Sequence, residues 1–97
     1  MKPSDLQRLH ARVSGRVQGV GFRYYVLNTA IKLELVGWAR NRRDDTVEVV
    51  AEGELEVLKS LVKALQRGSN SSVVREVKTN LQEASGEFES FFIRPTL

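Results

Sequence analysis

The 97-residue chain contains no cysteine, and His10 is its single histidine. The first absence removes disulfides, thiolate metal sites and cysteine nucleophiles; the second leaves histidine metal clusters and catalytic triads without material. Most familiar hydrolytic and redox mechanisms are thereby excluded, and neither a metal site nor a cofactor is expected. Proline and glycine are sparse at 2 and 7 residues, with 41% hydrophobic and 28% charged residues, a composition of globular rather than disordered or fibrous chains. Also missing is any apolar run near the ~20 residues that span a bilayer. The start, Met1-Lys2-Pro3-Ser4-Asp5, has no apolar stretch of the signal-peptide kind. The expectation is a cytoplasmic protein without a membrane partner. A core holds roughly 100–150 residues, so residues 1–97 are expected to form a single domain, and nothing apolar demands a partner for this monomer.

What is present is an uneven charge. Residues 8–43 carry eight Lys/Arg against Glu34 alone, whereas residues 44–97 carry six against ten acidic residues. A basic N-terminal half points to an anionic ligand, either a small phosphate-like group or a nucleic acid, although a solvated charged face explains the charge by itself.

Hydrophobic spacing places the elements. Leu9, Ala11 and Val13 alternate with His10, Arg12 and Ser14, the two-residue period of a strand with one buried face that ends at Gly15. After Gly21 the spacing turns helical, with Phe22, Val26, Ala30 and Leu33 on one stripe, and predicts a helix to about Leu35. Val36 to Arg40 and Thr46 to Ala51 read as a hairpin around the turn-prone Asn41-Arg42-Arg43-Asp44-Asp45. A second helix carries Leu55, Leu58, Val62 and Leu65, with Glu54 and Glu56 at its start, Lys63 and Arg67 at its end, and Gly68 as its cap. Val73 to Thr79 and Phe88 to Arg94 complete the strands. The order βαββαβ with a short tail predicts an α+β, ferredoxin-like split βαβ fold: an antiparallel sheet with two helices on one face.

Chemistry concentrates where the first strand hands over to the first helix. Gly15, Arg16, Val17, Gln18, Gly19, Val20 and Gly21 put three glycines into seven residues, which lets backbone N–H groups converge at a helix N-terminus as an anion cradle. The order is neither that of a Walker loop nor that of a dinucleotide fingerprint, and a tight strand-to-helix connection also accounts for it. Arg23, in the first helical turn, can fold back and clamp two oxygens of a tetrahedral anion. Asn41, at the end of the second strand, can hold a water by its amide carbonyl, or serve only as a hairpin residue. His10 is assigned no role, Trp38 and Phe22 read as core, and Arg40, Arg42 and Arg43 as a solvated basic rim that can steer anions.

These residues resemble the acylphosphatase family. Its pattern Gly-x-Val-Gln-Gly-Val-x-Phe-Arg, then Gly-Trp-x-x-Asn, then Val-Glu-x-x-x-x-Gly is matched by Gly15, Val17 to Val20, Phe22 and Arg23; by Gly37, Trp38 and Asn41; and by Val47, Glu48 and Gly53. The resemblance implies the ferredoxin-like fold, metal-free hydrolysis of a small-molecule acyl phosphate, a phosphate or similar anion bound by the 15–21 loop amides with Arg23, and a nucleophilic water placed by Asn41. Two departures stand out. Asp44-Asp45 replaces the family's usual Asp-Gly, and the tail from Phe91 to Leu97 lacks the aromatic that often ends the last strand. An RNA-recognition module shares the element order but stacks bases on aromatics of its two central strands, and Leu9–Ser14 and Val47–Glu52 contain none. No nucleic-acid partner is therefore expected. A regulatory or carbamoyl-phosphate-handling unit of a larger protein is a third reading, disfavoured by the presence of both Arg23 and Asn41.

Overall fold

The computed structural model describes residues 5–97. The elements run β1 (Leu6–Arg16), α1 (Phe22–Lys32), β2 (Val36–Asn41), β3 (Val47–Glu54), α2 (Leu55–Arg67), β4 (Val73–Glu83) and β5 (Phe91–Ile93), and one sheet has the order β4-β1-β3-β2-β5. The first four strands pair antiparallel, as the split βαβ plan requires, while β5 adds a short parallel edge along Gly37–Ala39. That direction follows from the crossover. Glu52, which lies opposite Val36 at the start of β2, accepts hydrogen bonds from the Ser85 and Gly86 N–H groups, so the chain crosses the sheet at the end where β2 begins. Among the described residues no helix is long and apolar enough to cross a membrane.

Alternation decides which face of the sheet is covered. Leu9, Ala11 and Val13 of β1, Ala39 of β2 and Val47, Val49 and Ala51 of β3 point to one side, where they meet Phe22, Val26 and Ala30 of α1 and Leu58, Leu61 and Leu65 of α2. Both helices feed this one cluster, and each fully buried Leu or Phe contributes about 1.5–3 kcal/mol of transfer free energy. The buried row of α2 centres on Leu61 rather than on Val62, which is only half-buried beside β4. Helix α1 stops at Lys32, short of Leu35, because Glu34 is left-handed with φ 58°. The N–H groups of Glu34 and Leu35 return to the carbonyls of Ile31 and Ala30, a Schellman stop that lets Leu35 enter the core from outside the helix. Strand β4 extends beyond Thr79, since its pairing with β1 continues to Gln7 opposite Glu83. Strand β5 is shorter than Phe88–Arg94, and Phe88 instead lies under the Arg8 guanidinium at 5.2 Å.

Among the described residues the opposite face of the sheet carries no helix and is lined by charge pairs. Glu52 accepts from Arg8 Nε (2.6 Å), and Glu48 accepts from Arg40 Nε (2.8 Å) beside His10 Nε2 (2.6 Å). Burial pushes the Glu48 carboxyl up, but hydrogen bonds from His10 and Arg40 more than offset it and hold it below the usual carboxylate value. Trp38 belongs to this face. It is 7% exposed but lies outside the apolar core, between the Arg40 and Arg94 guanidiniums at 4.6 and 4.9 Å from its ring centre. The expectation of a core tryptophan is corrected accordingly: Ala39, its neighbour, takes the inward position, and period-two alternation sends Trp38 outward. Phe22 is a core residue as expected.

Candidate active site

Strand β1 loses its register with β4 between Ser14 and Gly15. A Cβ on Gly15 would stand 2.1 Å from the Val73 carbonyl oxygen, so this glycine answers to close packing against β4. Gly19 and Gly21 are different: φ is 73° and 76°, and a Cβ on either would meet nothing within 4 Å. Between them the loop's side chains are disposed of. Val17 is buried in the core, Val20 packs against it and Arg16 is exposed. What the loop has to offer an anion is therefore its backbone. Among the described residues no backbone carbonyl takes the N–H groups of residues 17–21. Gly21 is the N-cap of α1 with no side-chain capping bond, and no acidic residue stands in the first turn. An uncapped helix N-terminus free of negative charge favours an anion. Arg23 follows two residues later, half-buried.

Asn41 closes β2 opposite Val47, on the same side of the sheet as Gly37 and Ala39. Its side-chain Oδ1 is buried without a hydrogen-bond partner among the described residues. Such an acceptor loses free energy unless something outside the chain donates to it. The connection that follows is tight: the Arg42 N–H donates to the Thr46 carbonyl (2.8 Å), the Asp45 N–H to the Arg42 carbonyl (3.2 Å), and Thr46 donates through N–H and Oγ1 to the Asp44 carboxylate (3.1 and 2.6 Å). Those bonds from Thr46 lower the Asp44 carboxyl below its ordinary value. Asp45 sits at φ 71°, the left-handed position that glycine fills at least expense. Asp45→Gly is accordingly expected to stabilise the protein by up to about 1 kcal/mol with activity unchanged. A chemical denaturation midpoint that falls in the variant would contradict this.

One side chain joins the two halves. Gln18 Nε2 donates to the Arg42 carbonyl (2.7 Å) and to the Thr46 carbonyl (2.9 Å), which brings the 15–21 loop against the hairpin that carries Asn41. Gln18 was expected as a member of the anion cradle; its amide N–H is still available for that, but its side chain is committed to the hairpin. Beneath the hairpin, Arg40 and Arg42 both reach Glu48 on the opposite face, so they are not the freely solvated rim expected, while Arg43 is exposed. The two hydrogen bonds made by Gln18 and the one between His10 and Glu48 had no local signature: the partners are 24, 28 and 38 residues apart and meet only through the sheet.

Comparison with known proteins bears directly on this arrangement. The family model described as Acylphosphatase matches residues 9–93. An acylphosphatase from Bacillus licheniformis is 52% identical over 81 residues, covering 84% of this chain and 90% of its own. The crystal structure of an acylphosphatase from Bacillus subtilis superposes with a TM-score of 0.88 at 40% identity, over 91% of this chain and 98% of that one. An acylphosphatase structure from Coxiella burnetii gives 0.89 at 33% identity, over 97% and 98%. A glycine turn at an uncapped helix end, tied by Gln18 to the hairpin that follows Asn41, thus sits in a chain that matches one family along nearly its whole length: the chain belongs to the acylphosphatase family and is a hydrolase of acyl phosphates.

Proposed function

We propose that the phosphate end of the substrate binds to the N–H groups of the 15–21 loop and the N-terminus of α1, with Arg23 closing over it, and that Asn41 holds the attacking water. The observation that supports this reading best is the buried Oδ1 of Asn41, an acceptor without a partner among the described residues, on the hairpin that Gln18 ties to the 15–21 loop. A water donating one O–H to that oxygen has its lone pairs left free for phosphorus. Attack forms the new P–O bond while the bond between phosphorus and the acyl oxygen breaks. The carboxylate departs with the electron pair, and the protons of the water pass to the phosphate and the medium. A carboxylate is stable at neutral pH, so its departure needs no general acid. The transition state is loose and spreads charge over the equatorial oxygens, which asks for positioning and cationic donors rather than a titrating base. Arg23 and the loop amides supply them.

The reading extends to the whole chain: one copy, residues 1–97, supplies every group as a single catalytic unit. Inorganic phosphate occupies the same cradle as product, and neither a metal nor another cofactor takes part. The test is phosphate release from benzoyl phosphate, with and without a chelator. The expected result is turnover at the same rate in both. Loss of activity with chelator, restored by magnesium or zinc, would overturn the metal-free mechanism.

A further inference from the structure

We propose that Gln18 is a positioning residue for the reaction: its side-chain amide fixes the distance between the anion cradle and Asn41, and it acts through Asn41 rather than on the phosphate. This rests on the reading of Asn41 as the residue that holds the water. Nothing in the loop other than this side chain bonds the hairpin among the described residues. Both hydrogens of Nε2 are used, one on the Arg42 carbonyl and one on the Thr46 carbonyl. Those two carbonyls also close the turn, taking the Asp45 and Arg42 N–H groups. The hairpin end is thus held by its own backbone, by the loop, and by Leu97, whose N–H donates to the Asn41 carbonyl and whose carbonyl accepts from the Arg43 N–H; of these only the Gln18 bonds tie it to the anion cradle.

Asn41 is the residue immediately before this double tie. Its Oδ1 has no hydrogen-bond partner among the described residues, so the direction of that oxygen depends on the backbone on either side. On one side the ladder with Val47 ends; on the other the Arg42 carbonyl is gripped by Gln18. Releasing the grip frees the hairpin to move relative to the phosphate by a fraction of an ångström or more. Misplacement of a reacting group by about 1 Å costs up to ~10²-fold in rate. The cradle itself loses nothing by the release, because Val17 and Val20 remain anchored in the core.

The first variant is Gln18→Met, close in length and shape but with no donor; Gln18→Glu, which sets a carboxylate against two carbonyl oxygens, is the second. Benzoyl phosphate turnover, competitive inhibition by inorganic phosphate and amide exchange of residues 41–47 are measured for each. In Gln18→Met kcat is expected to fall on the order of 10-fold to 10²-fold while the phosphate inhibition constant changes less than about 3-fold. Hairpin amides should exchange faster. In an Asn41→Ala background, Gln18→Met should lower kcat by less than about 2-fold more, since a residue acting through Asn41 has nothing left to position. Full multiplication of the two effects, or phosphate affinity falling in step with kcat, would overturn the proposal. A wild-type chain inactive on benzoyl phosphate would overturn the reading of the site and the catalytic part of the proposal with it. Unchanged hairpin exchange in both Gln18 variants would overturn the clamp itself, whatever the activity.

Discussion

Arg23→Ala is expected to raise the Michaelis constant for an acyl phosphate, lower kcat, and nearly abolish competitive inhibition by inorganic phosphate. The three effects share one cause. The phosphoryl oxygens are anionic in substrate, transition state and product alike, so a guanidinium over them contributes at every stage. A hydrogen bond between charged groups contributes about 1.5–3 kcal/mol, which corresponds to roughly 10-fold to 10²-fold in affinity. In the loose transition state the phosphoryl charge is spread over three equatorial oxygens in a flattened geometry, and loss of a donor held to that geometry adds a further fall on the order of 10²-fold in kcat. The fold should survive the change, because Arg23 is half-buried in the first turn of α1 and outside the apolar cluster. Arg23→Lys should recover part of the affinity but less of kcat, since an ammonium cannot make the paired contacts of the planar fork. Steady-state kinetics with phosphate as inhibitor decide the matter. An Arg23→Ala enzyme inhibited by phosphate as strongly as the wild type would remove Arg23 from the cradle.

Asn41→Ala should separate binding from turnover. The proposed contact of Asn41 is with the attacking water, which is absent from the complex with inorganic phosphate, so phosphate inhibition should persist while kcat falls on the order of 10²-fold or more. The Michaelis constant should change little. Asn41→Ala also removes a buried acceptor that has no partner among the described residues, so melting temperature should hold or rise rather than drop, as expected of a polar group kept for function. Near-normal turnover would return Asn41 to the status of a hairpin residue. Equal loss of phosphate affinity in Asn41→Ala and Arg23→Ala would show that both residues hold the phosphate and that the water is placed by another group.

Much of the local structure of the candidate site was legible in sequence because it rests on neighbouring residues. Gly19 and Gly21 are left-handed, as a cradle made of backbone requires, and Gly21, Phe22 and Arg23 follow one another into the helix start. Left-handed Asp45 could be anticipated from its place in a short hairpin after β2. Other features were hidden by equally good local patterns. Leu33 and Leu35 continue the apolar stripe of α1, yet Glu34 ends the helix, because the carbonyls of Ala30 and Ile31 find their donors in a left-handed turn. The polar residues after Thr79 conceal a strand whose pairing with β1 continues at the sheet edge, where alternate side chains need no apolar partner.

Local spacing alone sets the order of elements, the inward face of β1 and β3, and the glycine-rich turn between β1 and α1. Each depends on spacing of two to four residues and on glycine's freedom at positive φ. Which residues meet depends instead on how the strands are ordered and paired. Trp38 was assigned its side of the sheet by the register of β2 against β3, which turns Ala39 inward and leaves the indole between two arginines. Gln18 and Asn41 are 23 positions apart in the sequence. They were brought to one place because β1 and β2 flank β3, which sets the loop after β1 beside the hairpin after β2. Hydrogen bonds between side chain and backbone carry no periodic signature, since any carbonyl accepts; the sheet's strand order chose these two.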